Sequence, residues 1–568
     1  MATLVTRVVF TRNAAPVRRR SVASAVPVRR VLKNLTHGGS ANLDAGTTAF
    51  NYLFDGIKDD VDKHLPATDP KETVKALTGL GEAMAEQAPN ATSNSKIPVI
   101  YTYWGQFVDH DLTANTDRNS DASNIAREDL EPRSPADVVA ELQNLREPAL
   151  NLDSVYGDGP FGEPDNLDEV VPYDGIKLKL GSVDVDSNIP GVRIPPVDDL
   201  IRDLPREQGN NDFEKNGVAQ IGDGRNDENL IVAQLHVAFL RFHNNAVDWV
   251  RKNEPDKDTE EKIFSRAREL TRWTYQWIVV YDYLETVTLK NTVDRVLAAD
   301  NLLRLKERGT YMPLEFSVAA FRFGHSMVRA AYDFNRNFGK DPNALIQTAP
   351  LNFLFSFTGK PQASERLRPP QNPRPPPGPG ATQLPFNWII EWNRMVNKED
   401  PDTDRFTRPI DTHIALPLRT LPNEGNDKVT EAFNPMLKKL AVRNLLRGYL
   451  LSLPTGQAVV AELGVTPLTQ NELEGDDPKI KDALTNGKFL THTPLWFYIL
   501  QEAHARAGGN TLGEVGSLIV ASTIIGQILH DEDSYLNQDG WTPEKGVTLD
   551  DGTTVSTIID FLKFAKVL

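Results

Sequence analysis

The chain has 568 residues, a formal net charge of −16 and no cysteine. The acidic balance argues against nucleic acid as a partner, because polyanions are held mainly through lysine and arginine. The missing thiols exclude disulfides, thiolate metal sites, iron–sulfur clusters and a cysteine nucleophile.

From Met1 to Leu43 there is no acidic residue, while Arg7, Arg12, Arg18, Arg19, Arg20, Arg29, Arg30 and Lys33 are basic. Residues 1–45 therefore read as a flexible basic arm, with a transit-like leader as the alternative. No continuous apolar run follows the first charge, so a secretory signal is not expected. A short helical pattern lies at Glu72–Gln87, and Ile97–Leu112 is strongly apolar and aromatic at helical spacing. Asp117–Asp137 reads as loop, Glu141–Tyr156 as a helix end running into an extended segment, and Gly157–Gln208 as loop with short strands. Helical periodicity returns at Glu228–Asn253, Thr259–Val287, Val293–Arg308 and Pro313–Ala331. Residues 361–387 form a proline-rich insertion that regular structure cannot accommodate. Trp388–Val396, Val429–Leu451, Leu495–Arg506 and Leu512–Leu529 again read as helices. The apolar segment Val515–Leu529 is interrupted by Ser517, Ser522, Thr523, Gly526 and Gln527, and a bilayer span needs about 20 apolar residues. It reads as a buried helix, and no membrane span is expected. The architecture is mainly α with long loops and few short strands, in one large domain over residues 46–568.

Chemistry concentrates in four runs. The first is Trp104–Gly105–Gln106–Phe107–Val108–Asp109–His110–Asp111–Leu112. On a helix, Gln106, Asp109 and His110 stand at i, i+3 and i+4 and share one face. An amide, a carboxylate and an imidazole grouped amid Trp104, Phe107 and Val108 are costly unless a ligand or partners satisfy them. A lone histidine there would more often be structural. The second run is Gly222–Asp223–Gly224–Arg225–Asn226–Asp227–Glu228, followed by Leu235–His236 and Leu240–Arg241–Phe242–His243–Asn244. The third is Phe321–Arg322–Phe323–Gly324–His325–Ser326, and the fourth is Arg443–Asn444–Leu445–Leu446–Arg447–Gly448.

In this order and spacing the runs resemble the animal-type haem peroxidases of the peroxidase–cyclooxygenase superfamily, with a bacterial-type member expected. The resemblance extends from about Phe50 to Leu529. It implies a mainly helical haem peroxidase fold around haem b. It further implies that His110 is the distal general base and acid, that Arg225 stabilises negative charge developing on peroxide, and that Gln106 orients water or a small anion. His325 would bind the iron, and Asn444 would accept the N–H of His325. Arg322, one turn before His325, would reach a haem propionate, and Arg447 would also contact the cofactor. Gly324 beside His325 would let a flat group approach the backbone. Asp109 and Glu228 match the carboxylates that form ester links to haem. Asn229 replaces a methionine found in the most oxidising mammalian members, which argues against chloride as a donor. A calcium site is implied as well. Glu147–Pro148–Ala149–Leu150–Asn151–Leu152–Asp153 resembles the family's calcium loop, with Asp111 beside it. In an extended segment Glu147, Ala149, Asn151 and Asp153 would point the same way. Glu147 and Asn151 depart from the typical threonine and aspartate.

The resemblance implies hydrogen peroxide as oxidant, with iodide, bromide, thiocyanate or phenolic compounds as donors. Two rival readings differ in class. A fatty-acid oxygenase of the same superfamily would carry a tyrosine three residues before the proximal histidine, where this chain has Arg322. An adhesion or matrix scaffold would have lost catalytic residues, whereas His110, Arg225, His325 and Asn444 are present. His236 and His243 are read as packed and hydrogen-bonded. The resemblance slightly favours a secreted location, and the oligomeric state is left open.

Overall fold

A computed structural model describes residues 48–86, 94–114, 124–125, 129–157, 159–161, 171–185, 191–207, 217–298, 311–356, 358, 383–396, 405–421, 436 and 438–568. The basic arm and most of the proline-rich insertion lie outside these residues. Helices dominate, and the strands are short, as expected from the sequence. The strand Thr48–Asn51 lies between Gln143–Asn144, antiparallel, and Tyr311–Pro313, parallel, with Phe50 opposite Met312. Buried Glu315 accepts hydrogen bonds from the backbone N–H groups of Leu53 (2.8 Å) and Phe54 (3.3 Å), which ties the chain after this strand to the segment leading to His325.

The helices begin where side-chain chemistry allows. Asp69 accepts from the Glu72 N–H ahead of Pro70–Ala83, with Pro70 at the first position. Asn229 accepts from the Val232 N–H and starts Leu230–Asn253. Thr259 does the same for Glu260–Ile278, whose first turn carries Glu260 and Glu261. The helix Leu230–Asn253 is buried along most of its length. Phe239 stacks on Phe107 at 4.2 Å, and Phe242 stacks on Phe561 of the C-terminal helix Ile558–Phe564 at 4.4 Å. The segment read as a buried helix appears as Glu514–His530, with Ile519, Val520, Ile524, Ile525 and Ile528 inaccessible to solvent. Among the described residues, no helix is long and apolar enough to cross a membrane.

Three expected elements differ. Pro313–Ala331 is broken into the π turn Glu315–Ala319, the 3₁₀ turn Ala320–Phe323 and the short helix Gly324–Met327. The Arg322 Nε–H takes the Ser317 carbonyl, which a regular helix would give to the Phe321 N–H. Trp388–Val396 forms only the 3₁₀ turns Phe386–Trp388 and Trp392–Arg394. There the amide of Asn335 donates to the carbonyls of Asn387 and Ile389, at 2.8 and 2.7 Å. The segment ending at Tyr156 is not extended: Leu150 and Leu152 have positive φ, and Asp153–Tyr156 is a helical turn.

One close approach positions the site. The helix Glu260–Ile278 continues as the π turn Val279–Leu284, which presses Tyr283 against the helix Ile100–Leu112. A Cβ at Gly105 would stand 2.3 Å from Tyr283 Oη. Gly105→Ala should therefore destabilise the protein by about 1–3 kcal/mol through overpacking. Tyr283→Phe, which removes the clashing oxygen, should recover most of that loss in the double variant, as read by urea unfolding. Equal losses in the single and double variants would contradict this packing account.

Candidate active site

His110 sits in the last turn of the helix Ile100–Leu112 and is fully buried. Its Nδ1 lies 2.8 Å from Asn226 Oδ1. An amide oxygen only accepts, so Nδ1 carries the proton and Nε2 carries the lone pair. The amide nitrogen of Asn226 donates in turn to His236 Nδ1 at 3.0 Å. Burial pushes His110 down to about 4, with the Arg225 charge acting in the same direction and Asp223 opposing it. The imidazole is thus neutral at neutral pH.

Arg225 lies in the 3₁₀ turn Gly224–Asp227, which Asp223 caps by accepting from the Arg225 N–H at 2.9 Å. Its Nη2 donates to the His110 carbonyl at 2.8 Å, and Nε and Nη2 both reach the Asp223 carboxylate. Gln106 lies one turn before His110, and its Oε1 accepts from Asn229 Nδ2 at 3.1 Å. Asp109 is half-buried and accepts from Thr113 Oγ1 at 3.0 Å. Glu228, also half-buried, follows the turn, and Thr358 Oγ1 donates to its backbone carbonyl at 3.1 Å. The helix supplies Gln106, Asp109 and His110, the turn supplies Arg225 and Glu228, and both carboxylates act on the His110 imidazole.

The short helix Gly324–Met327, which carries His325, packs against the helix Ile100–Leu112. Nothing stands within 4 Å of the place a Cβ would occupy at Gly324, which agrees with room for a flat group beside the backbone. Asn444 lies in the helix Leu440–Leu450, and its amide meets His325 Nδ1 at 2.8 Å. Asn444 was expected to accept from this imidazole. Instead Arg322 Nη1 donates to Asn444 Oδ1 at 2.9 Å and Nδ2 faces the ring, so an iron on His325 Nε2 requires this amide to turn over and accept from Nδ1–H through Oδ1. Arg322 can only donate, and that decides which end of the amide it takes. Arg322 Nε also donates to the Ser317 carbonyl at 3.0 Å. Arg447 is buried three residues beyond Asn444. A buried imidazole with a directed lone pair, a second imidazole on a facing element and an open backbone at Gly324 fit a haem group.

The residues expected for calcium do not fit that ion as a set. Leu150 and Leu152 in left-handed conformation break the alternation that would aim Glu147, Ala149, Asn151 and Asp153 one way. Glu147 is exposed and accepts from the Asn151 amide at 3.2 Å. The Ala149 carbonyl accepts from Gln276 Nε2 at 3.2 Å, and Asn151 Oδ1 accepts from the Asp153 N–H at 3.0 Å. Asp153 is paired with Arg146 at 2.9 Å. Asp111 is buried beside Asp153 and is pushed up to about 8, by burial first and by the neighbouring carboxylate second. Among the described residues, no group of three or more His, Asp or Glu stands where it could hold a metal ion.

Sequence reasoning missed Asn226, Asp223 and Arg146, which hold His110 and Arg225 in place. The signal for the first two was present, since they flank Arg225. Arg146 carried none, because nothing in its sequence neighbourhood shows that it is buried against Asp223. His236 and His243 are packed as expected. His243 Nε2 donates to the Ile176 carbonyl, and its Nδ1 faces Tyr156 Oη, both at 3.1 Å.

Residues 179–358 match the model of the animal haem peroxidase family. Peroxinectin A of Dictyostelium discoideum is 22% identical over 480 residues, 79% of each chain, and dual oxidase 1 of Caenorhabditis elegans is 33% identical over 118 residues, 20% of this chain and 7% of that protein. Among solved structures, peroxidase A of Dictyostelium discoideum superimposes with a TM-score of 0.57 at 20% identity, covering 92% of this chain and 94% of its own. A fatty acid α-dioxygenase of Oryza sativa gives a TM-score of 0.52 at 14% identity, covering 88% and 78%. These two likenesses carry the fold alone. The family match spans the second and third of the four runs, so residues 179–358 carry an animal haem peroxidase domain signature.

Proposed function

We propose that this protein is a haem-dependent peroxidase that reduces hydrogen peroxide and oxidises iodide, bromide, thiocyanate or phenolic donors. The observation that carries this reading is the commitment of His110 Nδ1 to Asn226, which leaves Nε2 as a base in a dry site. His110 takes a proton from bound peroxide and returns it to the departing oxygen, which leaves as water. Arg225 steadies the negative charge on that oxygen. His325 would hold the haem, which would supply the electrons for cleavage of the O–O bond. Gln106, held by Asn229, orients water or a small anion on the same face. Asp109 and Glu228 are the side chains for ester links to the haem edge, and their half-burial beside His110 supports that role.

A cavity of about 450 Å³ is walled by Leu351, Asn352, Phe355, Leu416, Pro417, Arg419, Thr420 and Leu421. Thr358, just after its first wall, bonds to Glu228. A fatty-acid oxygenase would need a tyrosine where this chain has Arg322, between Phe321 and Phe323.

The visible spectrum of haem-supplied protein tests the reading. Its Soret band should shift on adding hydrogen peroxide and return when iodide or a phenol follows. Absence of bound haem, or simple bleaching by peroxide, would refute it. His110→Ala should keep the resting spectrum but slow the peroxide-induced shift by at least 100-fold, the lower range for a general acid–base group. An unchanged rate would remove His110 from the mechanism. Because the base form of His110 is the neutral imidazole, and its ionisation lies near 4, peroxide reactivity should hold from neutral pH down to about pH 5 and fall as pH drops through 4. A fall centred near pH 6.5 in stopped-flow profiles would show that His110 is not held in a desolvated site.

A further inference from the structure

Behind the distal histidine, Arg225 ends a chain of charges whose other members, Asp223, Arg146 and the half-buried Asp153, the peroxidase reading does not use. Arg146 is 1% exposed. Its Nη1 lies 2.9 Å from Asp153 Oδ1, and its Nη2 donates to Asp223 Oδ2. Asp223 is fully buried and receives Nε and Nη2 of Arg225 on the same carboxylate. Asp153, Arg146, Asp223 and Arg225 thus alternate in sign, and their charges sum to zero. A buried guanidinium is costly unless carboxylates meet it on more than one side, and Arg146 has one on each arm.

The backbone of Arg146 is fixed as firmly as its side chain. Asn144 Oδ1 accepts from the N–H groups of Arg146 and Ala114, and Asn144 Nδ2 donates to the Leu112 carbonyl at 2.9 Å. Arg146 is therefore anchored to the end of the helix that carries His110. From there it reaches both the loop bearing Asp153 and the turn bearing Arg225.

We propose that Arg146 is an internal cation that positions the catalytic arginine: it joins the loop at Asp153 to Asp223, does the joining work expected of a calcium ion, and shares the Asp223 carboxylate so that Arg225 keeps positive charge for an anion at the active site. The assignment rests on the peroxidase reading above. With Arg146 removed, Asp223 would be left to Arg225 alone, the Arg225 charge would be cancelled more completely, and the buried Oδ1 of Asp153 would lose its cation. Lysine at position 146 would restore charge but not the two-armed fork, since an ammonium is a point charge.

Cyanide is a suitable probe, because it arrives as the neutral acid, gives its proton to a base and binds as an anion. Its Kd would be measured from the Soret shift of the haem-supplied full chain, beside melting temperatures with EDTA or calcium chloride. Arg146→Met alone strands Asp153 and is expected to lower the melting temperature. Arg146→Met with Asp153→Asn removes that penalty and isolates the effect on Arg225. The double variant is expected to melt within a few degrees of the wild type and take up haem, yet bind cyanide roughly tenfold more weakly, the scale of one charge-assisted hydrogen bond. Arg146→Lys should restore part of the affinity, and EDTA should leave wild-type melting unchanged. Wild-type cyanide affinity in the double variant would overturn the positioning role. A melting temperature that EDTA lowers and calcium restores would overturn the internal cation in favour of a metal. Failure of the wild type to bind haem falls on the peroxidase reading instead. The joining role is then decided by melting alone: it stands if Asp153→Asn rescues Arg146→Met and falls if it does not.

Discussion

The hydrogen bond from His110 Nδ1 to Asn226 Oδ1 is the constraint on which the site depends. A fully buried imidazole can be protonated on either nitrogen, and water is not there to average the choice. Asn226 removes the ambiguity because its oxygen can only accept, while its nitrogen is occupied by His236. His236 is itself held neutral by burial, down to about 3, with Asp223 opposing. The ring order is thus set by a relay of neutral groups, and no full charge is needed beside the base. The same 3₁₀ turn that presents Asn226 presents Arg225, and Arg225 holds the His110 carbonyl. His110 and Arg225 are therefore held to one another and, through Asn226 and His236, to the helix Leu230–Asn253.

The surroundings keep this unit dry and fixed. Phe107 and Phe239 stack beneath it, and Trp104 packs against Phe239 and Phe561. Gly105 lets Tyr283 lie against the helix Ile100–Leu112, which the π turn at Val279–Leu284 makes possible by adding a residue to the helix at that point. Burial on this scale would be prohibitive for isolated ions. It is tolerated because the charges alternate: Asp223 lies between Arg146 and Arg225 and is held well below the usual carboxylate range against the opposing effect of burial. Beside His325, Arg322 takes the oxygen of Asn444 and so determines what the amide offers to the ring. In both halves an arginine that cannot accept a hydrogen bond sets the orientation of its neighbours.

Much of the site was legible in the sequence because helical spacing is a short-range property. Gln106, Asp109 and His110 lie on consecutive turns of one helix, and Arg225 and Glu228 lie in one turn of chain, so their adjacency follows from local geometry. The long helices Leu230–Asn253 and Glu260–Ile278 were equally readable, since their apolar periodicity agrees with their caps. The segment around His325 was not. Its apolar residues suit a continuous helix, but the Arg322 side chain competes for a backbone carbonyl and breaks it. The loop at residues 147–153 misled for a similar reason: two leucines with positive φ turn it, and leucine carries no sign of that conformation.

The sequence alone determined the family resemblance, the helical class and the residue types that meet at the site, because these rest on motifs and periodicities within a few turns of chain. Tertiary structure alone decided the partners of those residues. Asn226 and His110 are 116 positions apart, Arg146 and Asp223 are 77 apart, and Asn444 and His325 are 119 apart. No local pattern encodes which of two ring nitrogens is protonated, which end of an amide faces an imidazole, or which cation answers a buried carboxylate. Those outcomes depend on the sum of burial, donor geometry and charge after distant segments have packed together.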